Sequence, residues 1–249
     1  MPNRWEQSKI FINKSKIELH MPTMLVYVIK QIFMFKYLPK KIPIFPLSNF
    51  IFFPNTSVPL NIFEPRYLQM VNDSIKKDRL MGIAQPKFDK VKNKKTERIE
   101  LYSVGCVGKI ANFNETEDGR ITLILQGISR FKILSELINE KLYREFEVSY
   151  DQFKNDLKSN NEIIKLKDAD VLFANLKSLF KEGGYIVDWK EINSNSFNKI
   201  IDTLSMISPF SLEEKQILLE INTTEERKKK LNEILNIYLK DSFQNKTLQ

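Results

Sequence analysis

Histidine and cysteine are almost missing: the 249 residues contain one of each. Cys106 alone cannot close an intrachain disulfide, and nothing in the cysteine usage points to an oxidising compartment. His20 lies far upstream, so a Ser-His-Asp triad, a Cys-His pair or a His-based zinc site would have to recruit that single ring. Phosphate and nucleophile signatures are missing too, with no G-x-x-x-x-G-K-[ST], no G-x-G-x-x-G and no G-x-S-x-G. The stretch "GCVGK" at 105–109 has two residues between its glycines, and Ile110 stands where a magnesium-binding hydroxyl is needed. Its alternating neighbours read as a strand. Long apolar runs are absent as well. The longest clean one near the N-terminus, Met24–Ile29, is far shorter than the roughly 20 residues that span a bilayer. Acidic groups do cluster, but each cluster has a structural reading. Glu115, Glu117 and Asp118 bracket a hairpin tip, while Asp168 and Asp170 open a helix, where anions suit the dipole. No spacing singles out a Ser-Lys dyad.

Charge is plentiful but unevenly placed. The formal net charge is +8, yet residues 1–41 carry eight basic and two acidic side chains, which leaves 31 basic and 29 acidic in the remainder. The part that folds is close to neutral, which argues against a nucleic-acid or membrane partner. The basic loop at 86–98, "PKFDKVKNKKTER", lacks interleaved aromatics and reads as solvated surface. Residues 1–38 stand apart from the fold. They read first as sequence upstream of the true start, with Met34, Met24 or Met21 as the initiator. Otherwise they are a flexible appendage or docking helix, or a signal or membrane anchor.

From Lys41 the pattern becomes apolar and β-branched, punctuated by Pro43, Pro46, Pro54 and Pro59. Proline cannot donate to a ladder, so short or edge strands joined by turns are expected. Pro65 begins a helix with Tyr67, Met70, Val71 and Ser74 at helical spacing, and "LMGIAQP" follows as a strand. Residues 101–150 read as an antiparallel meander with a two-residue hairpin turn at Asp118-Gly119. Gly105, Gly108 and Gly127 inside its strands suggest bulges or tight bends. After about Asn155 the pattern is helical. One stripe is Leu172, Phe173, Leu176, Leu179 and Phe180, and a second is Phe197, Ile200, Ile201, Leu204 and Ile207. "SLEE" at 211–214 and "TTEE" at 223–226 are capping boxes.

Several blocks carry a family resemblance together: "IPIFPLSNFIFFPNTSVPLNIFEPRYLQMVND" at 42–73, "VGCVGKI" at 104–110, "DGRITLILQGISRFKI" at 118–133 and "SPFSLEEKQILLEINTTEERKKKLNEIL" at 208–235. In order, over about Lys41 to Tyr238, the sequence resembles the N-terminal substrate-binding domain of Lon proteases. The matching signature positions are Glu64, Pro65, Arg66, Tyr67, Gly105, Gly108, Asp118, Gly119, Arg120, Gly127, Arg130 and Phe131. Asn55 departs from the pattern, which usually has Gly there; Asn tolerates a positive φ.

The resemblance implies an α+β chain: a PUA-like β-barrel lobe over 39–152 with one early helix, a helical lobe over 153–241 and a tail at 242–249. It also implies a cytoplasmic, non-catalytic protein with no catalytic residue, metal or cofactor. In full-length Lon the domain precedes an ATPase and a Ser-Lys peptidase, and the sequence carries no motif of either. The expected partner is an unfolded or degron-bearing polypeptide, or a protease or chaperone to which the chain docks as an adaptor. The alternative is a PUA-like RNA or small-ligand binder. Phe50, Phe52 and Phe53 are the candidate polypeptide contacts. At the junction "LNIFEPRYLQM", Pro65 is expected at the first helical position with Glu64 extended before it. The Glu64 carboxylate is expected to accept orphan helix N–H groups, and Arg66 to bridge the helix to the barrel.

Overall fold

The computed structural model describes residues 38–87, 99–157 and 170–247. The upstream extension, most of the basic loop and Asp168 fall outside the described residues. Among those described, no helix is long and apolar enough to cross a membrane.

Six strands form one mixed sheet: β1 Lys41–Pro46, β2 Ser57–Ile62, β3 Leu80–Ala84, β4 Val104–Glu115, β5 Ile121–Leu137 and β6 Glu145–Ser149. Their order is β2-β5-β4-β3-β1-β6, and β5 also pairs with β6. Only β1 and β3 run parallel. The closing pairing is possible because β5 is 17 residues long and bends. Its first half lies between β2 and β4, while its last residues, Lys132–Leu137, reach β6. The bend falls where Val107 faces Ser129 but Gly108 faces Gly127, which leaves Ile128 as the extra residue of a bulge. A Cβ on Gly127 would stand 2.2 Å from the Phe53 carbonyl oxygen, so the incoming turn lies directly on that glycine. Its backbone is tied there in both directions, Asn55 N–H to Gly127 O and Gly127 N–H to Thr56 O. Asn55 itself has φ 58°, as its place in a Gly-favouring turn required.

The hairpin between β4 and β5 differs from expectation. Thr116 N–H reaches Arg120 O and Gly119 N–H reaches Thr116 O, so three residues form the loop rather than two. A two-residue type I′ turn needs positive φ at both centres, and only Gly119, at φ 77°, supplies it.

Helix α1, Pro65–Ile75, packs Tyr67, Met70, Val71 and Ser74 against the sheet. A short 3₁₀ segment, Asp151–Leu157, leads to α2 Asp170–Glu182, α3 Trp189–Asn193, α4 Phe197–Ile207, α5 Leu212–Glu220 and α6 Thr224–Thr247. Both capping boxes form as the sequence indicated. Ser211 Oγ accepts from Glu214 N–H, and Thr223 Oγ1 accepts from Glu226 N–H. All five members of the α2 stripe are buried. The helices and Phe153 of the 3₁₀ segment share one apolar core with three residues of the β-rich part: Ile51, Phe53 and Val104.

Two buried arginines fix that seam. The last carbonyls of a helix have no partner within it, and α5 has no basic residue in its own last turn to serve them. Arg130, from β5, serves them from outside: its Nη1 donates to the Leu219 and Ile221 carbonyls, and its Nη2 to that of Asn222. Asp156 neutralises it through Nε at 2.9 Å and Nη2 at 2.6 Å. Arg227, from α6, approaches from another side. It donates to Leu218 O and Ile221 O and pairs with Asp202 of α4. Asp202 also accepts from Asn55 Nδ2 at 2.8 Å, so the asparagine links the β-rich part to this network. A cation at a helix C-terminus is favoured by the dipole as well as by hydrogen bonding.

Candidate functional site

The start of α1 forms one wall of an open groove. Glu64 is extended, with φ −72° and ψ 132°, and Pro65 takes the first helical position. Both follow from the proline ring, which fixes its own φ and pushes the preceding residue out of the helical region. The Glu64 carboxylate does not cap the helix, however. Its main-chain oxygen accepts from Tyr67 and Leu68, while its side chain turns to Arg66 at 2.7 Å. Arg66 likewise does not bridge to the sheet. Its acceptor is Glu64, two residues away, and its guanidinium lies 4.5 Å over the Tyr67 ring. The break from extended chain to helix carries both side chains to the same side. A first-turn cation then has its counter-ion beside it, which offsets its clash with the positive helix end.

The other wall is the 138–144 connection between β5 and β6. The floor is the chain leaving β1, Phe45 to Leu47. Together they enclose about 790 Å3. Phe45 and Tyr67 meet there with ring centroids 4.4 Å apart. The rim is apolar: Ile138, Leu142 and Ile99 are exposed. Its charges are satisfied in pairs. Arg144 holds Glu136 through two bonds of 2.8 and 2.9 Å and donates to Ile99 O, and Lys141 holds Glu145 at 2.7 Å. Tyr143 fastens the connection to α1 by donating to Asp73 at 2.9 Å. Burial pushes its hydroxyl pKa up to about 12, against the pull of the Lys141 ammonium, and the bond to Asp73 adds to the rise. Burial also raises the Tyr67 hydroxyl, against the opposing pull of Arg66.

Sequence-derived candidates distribute unevenly over this geometry. Glu64, Arg66 and Tyr67 line the groove. Phe52 and Phe53, expected as polypeptide contacts, are 1 % and 0 % exposed and belong to the core, Phe52 under α1 and Phe53 in the helical seam. A ring so enclosed has no face left for a partner. Phe50 is half-buried against the same core as Phe52. Gly105 and Phe131 are one feature, since a Cβ on the glycine would meet the ring at 2.6 Å. Gly108 and Gly127 flank the bulge, while Asp118, Gly119 and Arg120 lie at the hairpin tip, with Arg120 paired to Asp118 at 2.8 Å. Arg130 belongs to the seam. Ile138, Leu142, Tyr143 and Arg144 were missed by sequence reasoning. Their signal was present as two aliphatic residues isolated in the otherwise polar connection "INEKLYR", where neither helix nor strand periodicity accounts for them.

The comparisons with known proteins agree with one another. The family model described as the ATP-dependent protease La (LON) substrate-binding domain matches residues 41–237. Among curated proteins, the chain is 25% identical over 207 residues to a Lon protease of Flavobacterium johnsoniae, covering 81% of this chain and 24% of that protein. It is 29% identical over 213 residues to a Lon protease of Parabacteroides distasonis, covering 83% and 25%. It thus spans about a quarter of the length of these relatives. Among solved structures, a Lon N-terminal domain protein from Xanthomonas campestris superposes with a TM-score of 0.55 at 20% identity, covering 78% of this chain and 97% of that one. The N-terminal domain of a Mycobacterium avium complex Lon protease gives 0.56 at 16%, covering 79% and 98%. These two likenesses establish the α+β fold.

Proposed function

The chain belongs to the LON substrate-binding domain family, and on that premise we propose that it is a non-catalytic module of the cytoplasm that recognises polypeptide. Its clients would be unfolded or degron-bearing chains, held directly or presented to a protease or chaperone as an adaptor does. The closed strand ladder, 39–152, is read as a PUA-like barrel, with 153–241 as the helical lobe that buttresses it. The observation that carries the reading is the groove. Its volume falls within the roughly 300–1,000 Å3 usual for ligand sites. Exposed aliphatic side chains on a polar-edged rim are the pattern of a surface that meets another chain.

RNA binding would call for unbalanced positive charge and strong salt dependence. Glu64, Glu136 and Glu145 instead neutralise the cations of this rim. The test is retention on immobilised, reduced and carboxymethylated lactalbumin, with folded lactalbumin as the reference. Selective retention of the protein on the unfolded form, persisting at 0.5 M salt, is expected. Equal retention on both resins, or none, defeats the reading.

A further inference from the structure

Tyr67 is a groove residue whose polar group the fold leaves unused. Its ring is 7 % exposed, packed against Phe45 on one side and under the Arg66 guanidinium on another. Its hydroxyl has no hydrogen-bond partner among the described residues. A fully enclosed phenol normally finds one, but this oxygen is not among the enclosed polar atoms without a partner, so it opens to the groove and no protein group claims it. The other buried tyrosines of the β-rich part have partners: Tyr143 donates to Asp73, and Tyr150 to the Pro39 carbonyl. A phenol is protonated at neutral pH, and burial raises the Tyr67 hydroxyl further, so it is a donor. The cations and anions around it are already paired with one another, at Glu64–Arg66, Glu136–Arg144 and Lys141–Glu145. What the groove offers a ligand is therefore apolar contact from Ile138, Leu142 and Ile99, no unbalanced charge, and neutral donors, the Tyr67 hydroxyl among them.

We propose that the groove takes an extended, uncharged, apolar segment of a partner polypeptide, with the Tyr67 hydroxyl donating to a main-chain carbonyl of that segment. A main-chain carbonyl suits the donor because it is present at every residue of any client, whereas a specific side chain is not. An apolar segment suits the rim because a charged one would leave its own charge beside pairs that are already complete. The arrangement gives sequence-tolerant recognition: the rim selects for hydrophobicity and the hydroxyl sets how the main chain lies. The inference rests on the reading of the chain as a polypeptide-binding module and assigns where and how that binding occurs.

The test is fluorescence anisotropy with fluorescein-labelled, reduced and carboxymethylated lactalbumin and the full 249-residue chain. Tyr67→Phe keeps the packed ring and removes only the oxygen. One neutral hydrogen bond corresponds to about a three- to tenfold weaker affinity, with an unchanged melting temperature. Leu142→Asp puts a charge on the apolar rim and is expected to weaken binding more than tenfold. Ile186→Asp alters a fully exposed residue of the helical lobe and should bind as the parent does. If the parent binds and Leu142→Asp binds equally well, the groove is the wrong place, although the module reading survives. If Leu142→Asp weakens binding but Tyr67→Phe does not, the hydroxyl assignment is wrong. If the parent binds no unfolded polypeptide, or binds a single-stranded RNA in its place, the proposed function fails and this inference with it.

Discussion

At the seam between sheet and helices, Arg130 and Arg227 are 2 % exposed, and their partners Asp156 and Asp202 are 8 % and 3 %. At the groove, Arg66 and Glu64 are 54 % and 42 % exposed. The chemistry is the same, arginine on carboxylate, but the surroundings invert its consequence. In the seam, water has been removed and each guanidinium must be fully satisfied by protein, which explains why the carbonyls of α5 converge on both. At the groove, water competes with the pair, so it contributes little to stability and remains free to face a ligand. Burial, more than the presence of a pair, separates architecture from a binding surface.

The largest expected effect breaks the seam. Arg130→Ala would leave Asp156 buried without its counter-ion, remove the donor to the carbonyls of Leu219 and Asn222, and leave the Ile221 carbonyl to Arg227. Removing one partner of a buried pair typically costs about 3–5 kcal/mol. Denaturant unfolding should show a loss of that order. The double variant Arg130→Met/Asp156→Leu should recover part of it, because no charge is then stranded. A double variant no more stable than the single would mean that the carbonyl contacts, and not the ion pair, dominate.

Asn55 tests the seam from the other side. Asn55→Gly keeps the positive φ but removes the donor to the buried Asp202 carboxylate. A loss of about 1–3 kcal/mol is expected for leaving a buried acceptor short. Asn55→Ala removes the donor and also strains the φ of 58°, so it should cost roughly 1 kcal/mol more. Equal stability of the two variants would show that the turn can relax its backbone.

These two residues also mark how far the sequence could be read. The sequence and the fold agree at Asn55, which stands where the resemblance puts Gly and has a positive φ. The helical stripes and capping boxes were equally legible, because they depend on spacing within about a dozen residues. Two things were not. The Asn55 side-chain partner lies 147 residues away, and the carbonyls that Arg130 serves lie about 90 away, so no local pattern reports either. The phenylalanines at 50–53 failed for a related reason. Apolar rings in a proline-punctuated stretch are equally consistent with surface and core, and only the arrival of α1 and the helical lobe puts Phe52 and Phe53 inside. Of the groove, the "EPRY" junction was legible only as a strand-to-helix turn and not as a wall. The opposite wall required knowing that β5 bends to meet β6.

A smaller effect is expected at alkaline pH, from buried hydroxyls rather than buried charges. Burial raises the hydroxyl pKa of Tyr143 to about 12 and that of Tyr150 above its ordinary value. An unfolded tyrosine titrates near 10. The folded state therefore holds the proton where the unfolded state has lost it. The stability from these hydroxyls is complete below about pH 10 and disappears as pH rises through the folded values. Melting temperatures measured from pH 8 to 12 should fall over that upper range, and less steeply for Tyr143→Phe, which lacks the titrating group. At pH 7 that variant should lose only about 0.5–1.5 kcal/mol, for one hydrogen bond. An unchanged alkaline slope would mean that Tyr143 ionises in the fold as it does in water.

The smallest expected effect lies at the groove. Arg66→Ala removes an ion pair and a stacked guanidinium, yet exposed pairs contribute only about 0–1 kcal/mol. Unfolding should therefore shift by less than about 1 kcal/mol, against several for Arg130→Ala. The contrast is sharp because both residues are arginines bonded to a carboxylate at similar distances. The loss at Arg66 should also shrink further in 0.5 M salt, since screening acts on solvated charges and hardly on enclosed ones. If Arg66→Ala were as damaging as Arg130→Ala, the groove wall would be part of the folding core. The junction of strand and helix, rather than the seam, would then be what holds the molecule together.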